Sequence, residues 1–264
     1  MPYVDNNGVK IWYEVEGAGS PVMLVHATSL TLNSWRERGI TSQLNANHML
    51  ILMDARGHGK SDKPREPSEY LPEPKSNDIE LILDDLGISE AHFFGYSMGG
   101  RFGLDILANA PHRIRSLVAG GAGPSPAALL NEQMFKKGRK IEDLLALIES
   151  KVGRWPDRAR ETFLANDMDA LAASQDPSIL DQENLYKQAL LNFVKPVLMF
   201  VGTDDPRHSD VEITASKMHN ARFISLDGLD HIGAGTQGLS SLMPQISEFF
   251  SIVDGCKPIG NNSS

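Results

Sequence analysis

Cysteine is almost missing from this sequence: Cys256 is the only one in 264 residues. A lone thiol closes no intrachain disulfide and builds no thiolate metal site. No cluster of histidines and carboxylates has metal-ligand spacing either, so no metal and no other cofactor is expected. Long apolar runs are also lacking. No stretch approaches the ~18 residues that a membrane helix needs. Nor is there a basic excess: 25 Lys and Arg against 34 Asp and Glu leave a formal net charge of −9. That sign repels phosphate backbones and anionic bilayers, so neither nucleic acid nor a membrane is an expected partner, and a small-molecule substrate is. The first residues lack the basic and apolar regions of a secretory leader, and the expectation is a cytoplasmic protein. The Asn-x-Ser matches at Asn261 and Asn262 fall in a polar tail, 256–264, that reads as disordered.

What is present is an ordinary globular balance, 41% hydrophobic and 22% charged, on a chain long enough for a large core. Short apolar runs recur at Val22 to His26, Met49 to Met53, Ala91 to Phe94, Leu117 to Ala119, Pro196 to Val201 and Arg222 to Leu226. Continuous runs, rather than alternating ones, indicate strands buried on both faces, as in a parallel sheet. Helix-period segments separate them. Ile79, Ile82, Leu83 and Leu86 share one face, with Gly87 as a stop. Strands alternating with helices imply an α/β class. Asn6-Asn7-Gly8 between Tyr3 to Asp5 and Val9 to Val15 signals a hairpin, hence an antiparallel edge. From Pro124 to Asn192 the strand signal disappears. Ile141, Leu144, Leu145, Ile148 and Val152 form an apolar stripe, and another helical segment runs from about Ile179 to Leu191. The expected organisation is a core over 1–123 and 193–255 with a helical lid over 124–192.

Gly95-Tyr96-Ser97-Met98-Gly99 matches G-x-S-x-G, preceded by an apolar strand and followed by a helical pattern. In that setting the serine occupies a sharp, strained turn that lifts its hydroxyl above the sheet, over a helix N-terminus that favours developing negative charge. A serine nucleophile needs a base, and the base needs an orienting acid. Asp205 follows the strand Pro196 to Val201, and His231 follows the strand Arg222 to Leu226. Both sit at the C-terminal ends of successive strands, where open α/β sheets place their sites. Asp204 stands as a rival acid and His208 as a rival base.

These motifs resemble the α/β-hydrolase superfamily, in particular its short-lid branch of esterases, perhydrolases, lactonases and carbon–carbon bond hydrolases. His26-Ala27-Thr28 resembles the family's His-Gly-x oxyanion segment, Asp54 to Asp62 its D-x-R-G-H-G-x-S loop, Gly95 to Gly100 its nucleophile elbow, and Gly202 to Pro206 its acid turn. Two departures stand out: Ala27 replaces the usual glycine, and no glutamate stands within a few residues after His231. The resemblance implies an α/β-hydrolase fold and a catalytic triad of Ser97, Asp205 and His231. It also implies an oxyanion hole from the backbone N–H groups of Thr28 and Met98. His26 and His58 are expected to brace loops. Dehalogenases and epoxide hydrolases of the family carry aspartate at the nucleophile position, so the serine disfavours both. The expected function is hydrolysis of a carboxylic ester of a small, largely apolar substrate through an acyl-enzyme. Tyr96, Met134, Phe135 and Trp155 are the expected substrate contacts. A lactonase or carbon–carbon bond hydrolase would use the same triad, and a non-catalytic binding protein on this fold is the alternative of another class.

Overall fold

The computed structural model describes residues 3–125, 135 and 138–255. Strands β1 (Tyr3–Asn6) and β2 (Val9–Gly17) form the expected hairpin. Its two-residue turn has positive φ at Asn7 (54°) and Gly8 (91°), the hand that matches strand twist. β2 pairs antiparallel with β4 (His48–Met53). From there the sheet is parallel through β3 (Ser20–Val25), β5 (Ala91–Tyr96), β6 (Ile114–Gly120), β7 (Val197–Gly202) and β8 (Ala221–Leu226). The order across it is β1-β2-β4-β3-β5-β6-β7-β8.

The continuous apolar runs have a direct explanation in this sheet. Met23 and Val25 of β3, Phe93 of β5 and Met199 and Val201 of β7 join the core on one face. Their neighbours Val22, Leu24, Phe94, Leu198 and Phe200 join the core on the other. The first face is covered by α3 (Pro72–Asp85) and α4 (Met98–Asn109). The second face is covered by α1 (Asn33–Glu37) and α2 (Ile40–Leu44), together with a C-terminal helix described below. α4 lies so close to the sheet that a Cβ on Gly99 would come within 1.9 Å of the Val25 carbonyl oxygen. One on Gly95 would come within 2.2 Å of Gly99.

Between β6 and β7 the chain is helical, with α5 (Ile141–Val152), α6 (Asp157–Leu164), α7 (Met168–Ser174), α8 (Pro177–Leu180) and α9 (Glu183–Asn192). The single segment expected from Ile179 to Leu191 is thus broken at Asp181 and Gln182. The Leu180 carbonyl accepts from Arg101 Nη2 (3.1 Å) and from the Gln182 N–H (2.9 Å) instead of continuing a helical ladder. Leu144, Leu145, Ile148 and Phe163 make a small core of their own within this region. α9 packs onto α4 and joins the core on the first sheet face through Tyr186 and Leu190. After β7 come α10 (His208–Ser216) and, past β8, a helical run from His231 that passes through a π-turn at Ala234–Gly238 into α11 (Leu239–Val253). Among the described residues no helix is long and apolar enough to cross a membrane.

Candidate active site

Ser97 stands between the last residue of β5 and the first of α4, with φ 56° and ψ −112°. A positive φ is costly for a residue with a Cβ, of order 1–3 kcal/mol, and persists only where the surroundings enforce it. Here the Ser97 N–H donates to the Gly120 carbonyl of β6 (2.8 Å), and Gly95 and Gly99 admit the turn. Ser97 Oγ lies 2.8 Å from His231 Nε2, and His231 Nδ1 lies 2.5 Å from Asp205 Oδ2. Asp205 is held by the turn after β7, where its N–H donates to the Gly202 carbonyl (3.1 Å). His231 opens the helical run after β8.

The electrostatics set the tautomer. Burial opposes ionisation of Asp205, but the hydrogen bond and charge of His231 and the donors of Arg207 outweigh it and hold the carboxyl below its ordinary value. An ionised Asp205 accepts from Nδ1–H, which leaves the Nε2 lone pair facing the Ser97 hydroxyl. The second oxygen, Oδ1, accepts from the Arg207 N–H (3.0 Å) and Nη1 (3.3 Å). The rivals point elsewhere. Asp204 is exposed, and His208 Nε2 is 2.7 Å from Ser225 Oγ.

Tyr96, an expected substrate contact, is buried beneath His231 instead. Its hydroxyl donates to the His231 carbonyl (2.5 Å), and its ring lies 5.4 Å from the imidazole. Burial pushes the phenol well above its ordinary value, so it remains a donor.

Thr28 and Met98 line the same small cavity as Ser97. The Thr28 loop is braced by His26, whose Nδ1 donates to the Ala27 carbonyl (2.8 Å) while Nε2 accepts from the Ala55 N–H (3.1 Å). Burial holds the His26 pKa at about 4, which keeps it neutral and able to do both. Ala27 needs no glycine, because the left-handed residue of this turn is Ser29 (φ 65°), two positions on. The loop that follows β4 is a second brace. Asp54 accepts from the Leu32 and Lys60 N–H groups, each at 2.8 Å, and buried Arg56 forks onto Asp78 at 2.7 and 2.6 Å.

The cavity at Ser97 has a volume of about 50 Å³. Three of its walls come from the helical insertion: Ser174, Gln175 and Leu180. Three more are cations that motif reading missed: Lys75, Arg101 and Arg207. Lys75 is paired with Asp105 (2.7 Å), and burial pushes its ammonium below the ordinary value against the pull of that carboxylate. Arg101 was within reach of sequence reasoning, lying one helical turn past Ser97 on the same face. Lys75 was not, since only the packing of α3 on α4 brings it in.

The expected apolar pocket is not what lines this cavity. Trp155 and Phe135 pack against the insertion's own core, with Trp155 edge-on to Phe163 at 5.6 Å. Aromatic side chains this large are drawn into the nearest available core. Phe135 also borders a separate cavity of about 490 Å³, which meets the first at Gln175. Met134 lies outside the described residues.

The alpha/beta hydrolase fold family model matches residues 20–145. A putative carbamate hydrolase, RutD, from Azorhizobium caulinodans is 33% identical over 44% of this chain and 43% of its own length. A cis-3-alkyl-4-alkyloxetan-2-one decarboxylase from Shewanella oneidensis is 34% identical over 44% of this chain and 36% of its own. The chain thus aligns with less than half the length of either curated relative. Among solved structures, an enol-lactonase from Burkholderia xenovorans superimposes with a TM-score of 0.81 at 21% identity, covering 95% of this chain and 100% of that one. The mostly parallel eight-stranded sheet, its antiparallel hairpin, the family match over residues 20–145 and this superposition agree: the chain has the alpha/beta hydrolase fold.

Proposed function

We propose that the protein is a serine hydrolase that cleaves a carboxylic ester through an acyl-enzyme on Ser97. The observation that carries the reading is the relay of Ser97, His231 and Asp205 at 2.8 and 2.5 Å, ending on a serine held at positive φ. In this reading the Ser97 hydroxyl gives its proton to His231 Nε2 as Oγ attacks the carbonyl carbon. The N–H groups of Thr28 and Met98 receive the oxyanion. Met98 is the first residue of α4, so its N–H has no partner within the helix and lies at the positive end of the dipole. His231 then protonates the leaving alcohol, Asp205 stabilises the imidazolium, and a water activated by the same base releases the acid.

The insertion acts as a lid. Its residues Ser174, Gln175 and Leu180 border the Ser97 cavity, and it is tied to the body by Asn166 Nδ2 on the Ser29 carbonyl (3.0 Å) and by Arg65 on Asp167 (2.7 Å). Excluding water there strengthens the contacts to the oxyanion. A fluorophosphonate probe tests the proposal: it adds one phosphonyl group to wild type, mapped to Ser97, and none to Ser97→Ala. Labelling that survives in Ser97→Ala refutes it. Lactones and vinylogous diketones assayed beside simple esters separate the lactonase and carbon–carbon alternatives, which share the triad.

A further inference from the structure

We infer that the cavity beside Ser97 holds an anion subsite, so that the substrate is a compact ester or lactone with a carboxylate a few bonds from its scissile carbonyl. This rests on Ser97 being the nucleophile.

The cavity's three cations face it from three different elements: Lys75 from the first turn of α3, Arg101 from α4 and Arg207 from the turn after β7. Lys75 and Arg207 each have a carboxylate, Asp105 at 2.7 Å and Asp205 at 3.3 Å. Arg101 differs. Among the described residues its hydrogen-bond acceptors are the carbonyls of Gly123 (3.3 Å), Ser125 (3.0 Å) and Leu180 (3.1 Å), and its guanidinium lies 4.7 Å over the Tyr186 ring. These are neutral groups that position the fork without cancelling its charge. A guanidinium does not deprotonate in a protein, so the cavity wall keeps one excess positive charge.

The N-terminus of α4 points its partial positive charge at the same space. The protein as a whole carries −9, so the sign of this lining is the reverse of the chain's net charge. A diffuse attraction for anions is therefore absent, and recognition falls to this one lining. The small volume, about 50 Å³, suits a carboxylate rather than a long acyl chain.

The test compares wild-type kcat/KM for monoethyl glutarate with ethyl pentanoate, and for monoethyl succinate with ethyl butanoate, by titrating released acid. The carboxylate ester is expected to be preferred about 10- to 100-fold at low salt, the range of a charge-assisted hydrogen bond, with the difference in KM and a decline as salt rises. In Arg101→Gln that ratio falls about tenfold, and Arg101→Lys restores part of it. Taking the ratio removes any general loss from untying Leu180. Should Arg101→Gln fail to fold, wild type alone decides: glutarate slows fluorophosphonate labelling of Ser97 and glutaramide does not. Normal labelling together with equal or better turnover of the neutral ester overturns the subsite and leaves the serine-hydrolase reading standing. Absence of both labelling and turnover overturns both.

Discussion

Replacing Asp205 by asparagine tests the relay at its most constrained point. Both carboxylate oxygens are in use: Oδ2 faces His231 Nδ1, while Oδ1 accepts two donors from Arg207. An asparagine has one carbonyl oxygen and one amide group to place in those positions. The two Arg207 donors claim the oxygen, so the NH₂ turns toward Nδ1. Nδ1 must then accept, the ring proton moves to Nε2, and the imidazole offers Ser97 a hydrogen in place of a lone pair. Loss of tautomer control and of the stabilising charge costs about 10⁴ in kcat, equivalent to about 5.5 kcal/mol.

Steady-state kinetics of Asp205→Asn and Asp204→Asn on one activated ester measure this. The exposed Asp204 is expected to matter less than about threefold, as surface substitutions usually do. An Asp205→Asn enzyme within tenfold of wild type, or an Asp204→Asn effect larger than it, would mean that Asp205 does not set the imidazole's tautomer. The same variant has a pH signature. The folded carboxyl titrates below its ordinary value. Its stabilisation is therefore complete above the unfolded pKa of about 3.9 and is lost as pH falls through the folded value. The Tm gap between wild type and Asp205→Asn should shrink over that acid range.

Asp78→Asn leaves the buried Arg56 guanidinium with half-exposed Glu69 as its charged partner and should cost about 3–5 kcal/mol, read as a lower urea midpoint at unchanged slope. A loss under 1 kcal/mol would mean that the pair is not a buried brace. Leu180→Ala opens the insertion's side of the Ser97 cavity and should shift the ester profile toward longer acyl groups, while an unchanged profile argues against a lid role for the insertion. Trp155→Ala should lower thermal stability and leave that profile alone, because its ring packs within the insertion. A changed profile in this variant would put Trp155 back at the substrate.

The sheet was legible because both of its faces are buried. Runs such as Met49 to Met53 and Pro196 to Val201 fall within a residue of β4 and β7, and Asn7-Gly8 supplies the turn expected of it. That Ser97, Asp205 and His231 lie close together has a related reason: each ends or follows a strand, and strand ends converge at one edge of such a sheet. The cavity wall was not legible. Lys75 sits in an unremarkable polar first turn, and only the tertiary approach of α3 to α4, marked by its ion pair to Asp105, turns it inward. Phe135 and Trp155, expected at the substrate, meet Leu144, Ile148 and Phe163 instead, and apolar character alone does not say whether a side chain covers a substrate or its own neighbours. The helix break at Asp181 was hidden because its cause, Arg101 claiming the Leu180 carbonyl, lies 79 residues away in sequence.

A serine nucleophile carries the acyl group between the two half-reactions, and trapping that intermediate on Ser97 identifies it. Wild type mixed with p-nitrophenyl acetate, quenched early and analysed by mass spectrometry should carry one acetyl group on the peptide containing Ser97. Ser97→Ala should carry none and lose about 10⁶ in turnover rate. An acetyl group found on another residue, or a Ser97→Ala enzyme that still turns over, would place the nucleophile elsewhere.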